Sequence, residues 1–142
     1  MAAGLSEAQC AYVLEDLSGR LSPGDWGQQA CEAYRRLKAD RVVAETNKGG
    51  DLVERILRSI DPTIPYKAVR ATRGKSTRAE PIAALYEQGR VFHAHPFSLL
   101  EAQLCGYVPG ITSQSPDRLD ALVWALTDLF LAGEANPVLK VW

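Results

Sequence analysis

Short apolar runs rich in β-branched residues alternate in this chain with stretches whose apolar residues recur at helical spacing. That alternation limits the fold more than any other feature. Arg41-Val42-Val43-Ala44-Glu45 reads as a strand, apolar until its last residue. It lies between two helical stripes: Trp26, Ala30, Ala33 or Tyr34, and Leu37 before it, and Leu52, Val53, Ile56, Leu57 and Ile60 after it. Ser22 can cap the first helix and Pro23 suits its first turn, while Ala39-Asp40 ends it. Asp61-Pro62 stops the second. Further strands are predicted at residues 11–14, 65–71 and 90–94, and further helices at 79–88 (with Pro81 in the first turn), 97–104 and 116–131. Strands alternating with helices imply an α/β layer structure. No repeat or linker interrupts it, so residues 1–132 read as one domain and residues 133–142 as a tail without assigned structure.

A chain of 142 residues is one domain by length and buries roughly two-thirds of its unfolded surface, so it needs neither disulfides nor a structural metal. The net charge of −1 provides no global field towards nucleic acid or membrane, and polyanion binding therefore needs a local basic patch. Cys10, Cys31 and Cys105 are odd in number and form no C-x-x-C pair, as expected of reduced, mostly buried thiols in a cytoplasmic protein. The first residues lack a basic n-region, and no run approaches the roughly 20 apolar residues of a membrane span.

The last predicted helix carries the most chemistry. Leu119, Leu122, Val123, Leu126, Leu129 and Phe130 form its apolar stripe, whereas Asp117, Asp120 and Trp124 lie on another side. Asp117 and Asp120 are i and i+3, so both carboxylates can converge on one point, where they repel unless a cation or proton lies between them. They can also simply complement the positive end of the helix dipole, worth about 0.3–1 kcal/mol each. Glu45 adds weight to the metal reading, because open α/β sheets bind ligands at the carboxyl edge of their strands; a solvated strand end is the plain alternative. Asn47-Lys48-Gly49-Gly50 follows it, letting backbone approach a ligand and opening a helix whose N–H groups attract anions. Metal ions held by carboxylates beside a phosphate are the arrangement of nucleases and polymerases.

Gly74-Lys75-Ser76-Thr77 matches the end of a phosphate-binding loop, but the motif's first glycine falls on Val69, which excludes that cradle. Arg73, Lys75 and Arg78 read instead as a phosphate-contacting basic loop, or as a merely solvated one. His93-Ala94-His95 is half of a zinc pattern that nothing nearby completes. Asp16, at a strand end, reads as structural.

The order of motifs resembles the C-terminal nuclease domain of phage terminase large subunits, of the kind found in prophages and gene-transfer-agent clusters. The likeness rests on residues 12–18, 39–50, 73–81 and 85–91, and on Ser115-Pro116-Asp117-Arg118-Leu119-Asp120-Ala121-Leu122-Val123, and so covers nearly the whole chain. It implies a ribonuclease H-like fold, a mixed sheet flanked by helices, and a metal-dependent endonuclease that cuts double-stranded DNA during genome packaging. It further implies Glu45 and Asp120 as metal ligands for Mg²⁺ or Mn²⁺, with Asp117 as an accessory ligand. Asn47, Lys48, Arg73, Lys75 and Arg78 are implied on the DNA side. Portal, small terminase and ATPase domain are the implied packaging partners, and no membrane is implied. The family's domain begins with a strand bearing the first catalytic Asp, and Met1-Ala2-Ala3-Gly4 corresponds at best to the end of the next strand. The first Asp, its strand and the ATPase are therefore expected to be missing. Activity is expected to be weak or absent, or the chain a non-catalytic packaging subunit. The remaining strands are expected to re-pair directly or to borrow a strand from a second copy in a homo-oligomer.

Overall fold

The computed structural model describes residues 1–46, 51–72, 74–108, 117–131 and 139–141. Its elements are β1 (Ala2–Leu5), β2 (Ala11–Glu15), α1 (Pro23–Leu37), β3 (Val42–Glu45), α2 (Asp51–Ile60), β4 (Tyr66–Val69), α3 (Lys75–Glu87), β5 (Val91–His93), α4 (Ser98–Gly106), α5 (Asp117–Leu131) and β6 (Leu139–Val141). The strands form one sheet in the order β4-β3-β6-β1-β2-β5. It is mixed, as expected: β1 is antiparallel to β2 and β6, while β3 runs parallel to β4 and β6, and β2 to β5. β6 lies in the segment read as a tail. It stands between β3 and β1, so the sheet does not close by direct pairing of those strands. A three-residue strand is too short for sequence pattern to reveal.

Period-two alternation along β1 and β2 divides the core between two faces. Ala3 and Val13 join Ile82 of α3, Leu100 of α4, and Leu119, Leu122, Val123 and Leu126 of α5. Ala2 and Leu14 point the other way, against Ala33 and Leu37 of α1. Val42 of β3 packs with Cys31 of α1 and Leu57 of α2. Leu57, Leu122 and Leu126 are fully buried, each stabilising the fold by about 1.5–3 kcal/mol. Of the three thiols, all free, only Cys31 is buried; Cys10 is intermediate and Cys105 exposed.

Local chemistry sets where α1 begins and how closely it packs. Ser22 accepts a hydrogen bond from the Asp25 amide at 3.3 Å, the capping contact its sequence suggests. A Cβ on Gly27 would lie 2.5 Å from Ile56 Cγ2, so only glycine lets α1 and α2 cross this closely. α3 departs from expectation. It begins at Lys75 behind Gly74 rather than at Ala79, so Pro81 sits inside the helix. Proline's preference for first turns misplaced that start. The correction matters for the site, because it moves Lys75 and Arg78 from a loop onto a helix.

Candidate metal and phosphate site

Glu45 closes β3 and Asp120 lies in the first turn of α5. Both reach the Arg78 guanidinium: Nη1 is 3.8 Å from Glu45 Oε2, and Nη2 is 3.6 Å from Asp120 Oδ1. These are ion-pair distances, too long for hydrogen bonds. Lys75, one turn before Arg78 on α3, pairs with the other Asp120 oxygen. Trp124 lies one helical turn beyond Asp120. Its Nε1–H donates to Glu45 Oε2 at 2.7 Å, and its ring carries the Arg78 guanidinium at 4.6 Å from the centroid. Arg78 Nε and Nη1 are buried without a hydrogen-bond acceptor. The guanidinium therefore provides charge to two carboxylates while lacking the close oxygen partners it normally takes.

The remaining site expectations fare differently. Asp117 opens α5 and is exposed, while Asp120 is half-buried against Lys75 and Arg78. The i, i+3 spacing keeps the two near one helix face, with Asp117 about 4.5 Å closer to the helix start. The α5 amides are met elsewhere: Gln103 Oε1 of α4 accepts from the N–H groups of Arg118 and Leu119 at 3.0 and 3.2 Å. Asn47, Lys48 and Arg73 lie outside the described residues. Among the described residues no group of three or more His, Cys, Asp or Glu could hold a metal ion.

Other acids are engaged away from the site. Asp16 accepts from Arg118 Nε at 2.7 Å and from the Ser18 amide at 3.0 Å. Burial acts to raise its carboxyl pKa, but the hydrogen bonds from Ser18 and Arg118 outweigh it and hold the value below the usual range. His93 is no zinc ligand, because Nδ1 meets Glu101 Oε1 at 3.0 Å and Nε2 meets the Tyr86 hydroxyl at 2.8 Å. The Phe97 amide, then His93, lowers the Glu101 pKa.

Three working residues escaped the sequence reading. Trp124 was legible only as a neighbour of Asp120 on the helix face. Gln103 gave no signal. Asp128 is buried in α5 and accepts from Arg41 Nε at 3.0 Å and Lys67 Nζ at 2.5 Å, tying the helix to β3 and β4.

The arrangement has hard oxygen donors from two elements, a buried arginine short of acceptors, and a lysine beside it. A family model described as the terminase RNaseH-like domain matches residues 4–129. The chain belongs to this family. The match in this terminase domain spans Glu45, Lys75, Arg78, Asp120 and Trp124 alike. No curated protein and no solved structure matches the chain. The terminase domain is thus of nuclease type, in a family associated with DNA packaging. Its α/β sheet is the expected ribonuclease H-like fold, and no described helix is long and apolar enough to cross a membrane.

Proposed function

We propose that this terminase domain binds Mg²⁺ or Mn²⁺ between Glu45 and Asp120 and engages double-stranded DNA through Lys75 and Arg78. It would act in the cytoplasm beside the portal, small terminase and packaging ATPase. One observation carries the reading: two carboxylates distant in sequence converge on a single guanidinium. The donor set fits such an ion, since Mg²⁺ is held by one or two carboxylates and keeps several waters. Both carboxylates already attract positive charge, that of the Arg78 guanidinium, which supports the reading. When bound, the metal supplies an activated water and charge stabilisation at phosphorus. Arg78, short of acceptors, and Lys75 orient a phosphate beside the carboxylates.

A second reading, a DNA-binding packaging subunit that cuts poorly, is favoured by the absence of a third acid at the site among the described residues. Mn²⁺ calorimetry and a plasmid cleavage assay test both. Binding lost in Glu45→Ala and Asp120→Ala supports the site. Robust Mn²⁺-dependent cleavage abolished by Asp120→Ala supports the enzyme, while binding without cleavage supports the packaging subunit. A chain that takes up no Mn²⁺ refutes the metal site.

A further inference from the structure

We infer that Trp124 is a positioning residue that sets how Glu45 presents itself to a cation. The inference rests on the metal reading of the Glu45–Asp120 pair. Three contacts meet at one indole. Trp124 and Asp120 are i+4 and i on α5, so a single helix face delivers Asp120 directly and grips Glu45 through the ring nitrogen. The 2.7 Å hydrogen bond joins positions 79 residues apart in the chain.

An indole only donates, and its rigid ring allows few positions for that donor. Trp124 therefore takes one acceptor direction of Glu45 Oε2 and leaves the carboxylate's other lone pairs to a cation. That contact limits how far the carboxylate can rotate. The ring face does separate work. It supports the Arg78 guanidinium at 4.6 Å, beside the two carboxylates. Trp124 thus holds Glu45 from the side of α5, although it touches neither ion nor phosphate.

Trp124→Phe separates the two roles, because phenylalanine retains an aromatic face and loses the donor. Groups that orient a metal ligand typically contribute about 10–100-fold to metal affinity. Mn²⁺ titration by calorimetry of the wild type, Trp124→Phe, Glu45→Asp and the double variant forms a cycle, Glu45→Asp keeping a carboxylate while drawing it back from the indole. The expected result is a loss of about 10-fold or more in Trp124→Phe, and little further loss when Trp124→Phe is added to Glu45→Asp. That non-additivity is a readout a merely structural tryptophan does not produce. Wild-type affinity in Trp124→Phe, or losses that add in the double variant, overturns the role of Trp124 alone. A wild-type chain that binds no Mn²⁺ overturns the site itself, and this inference with it. If Trp124→Phe fails to fold, Trp124→Tyr, which also keeps an aromatic face and lacks the indole N–H, takes its place in the same cycle with the same expected outcomes.

Discussion

Asp128→Ala should loosen the joint that sets α5 against β3. The Asp128 side chain is 2% exposed, and its two cations differ in their surroundings: Arg41 is 20% exposed and Lys67 40%. Once the carboxylate is gone, Lys67 can turn to water, and its share is that of a surface pair, about 0–1 kcal/mol. Arg41 has less freedom, and breaking a buried pair by removing one partner costs about 3–5 kcal/mol. The Arg41 side therefore dominates, and the sum is about 4 kcal/mol. At about 3 °C per kcal/mol for a domain of this size, the melting temperature should fall by roughly 10 °C. The assay is paired thermal and urea unfolding. Arg41→Met in the Asp128→Ala background should regain part of the loss, because it removes the charge that Asp128 had balanced. Asp128 lies eight residues beyond Asp120 on the same helix, about 12 Å along its axis. Arg41 immediately precedes the strand that ends in Glu45, so Mn²⁺ affinity should fall as well. A stability loss under about 1 kcal/mol, or no rescue by Arg41→Met, would refute the claim that this carboxylate is a buried clamp.

Two further outcomes follow from the same geometry. The Met1 ammonium is buried, which lowers its pKa to about 6 from 8.0 even though Asp16 and Glu15 oppose the shift. A folded value below the unfolded one means that protons favour the unfolded chain. Stability should be full above pH 8 and fall by about 3 kcal/mol on descending to pH 6, and N-terminal acetylation should remove that slope in urea melts across pH. Lys75→Met removes a cation that competes for Asp120. Since Lys75 is 39% exposed, Mn²⁺ affinity should rise only modestly, by up to about 5-fold, while the salt slope of duplex binding drops by about 1. Unchanged values in calorimetry and salt titration would contradict the pairing.

The features legible in sequence are those set by neighbours along the chain. Ser22 and Pro23 announced α1 because capping is local. The stripe of Leu119, Leu122, Val123, Leu126 and Leu129 announced α5, and all five are buried. Glu45 stood out because a charge ends an otherwise apolar strand. What stayed hidden depends on partners far away in sequence. Asp128 looks like an ordinary polar position in a helix until Arg41 and Lys67, 87 and 61 residues off, are brought to it. Trp124 acquires its role only when Glu45 arrives from β3. Asp117 and Asp120 look equivalent in a spacing argument, yet it is Asp120 that pairs with Lys75 and Arg78, which arrive from α3. Pro81 shows a general rule overridden: packing carries α3 through a proline that propensity places at its start.

The place of β6 has a consequence for how the chain comes together over time. β4 and β3 form one part of the sheet and β1, β2 and β5 the other; among the described strands, hydrogen bonding crosses between them only through β6. β6 is also the last of these strands in chain order, and Val141 pairs with Ala2. A chain emerging from the ribosome can build the β1–β2 hairpin and the β3–α2–β4 unit early, since both rely on near neighbours. It cannot join them edge to edge until residues 139–141 have been made. Until then the facing edges of β1 and β3 are open to strands of other molecules. The interval between making Glu45 and seating Val141 is when this domain is most exposed to mispairing, and β6 is the strand that ends it.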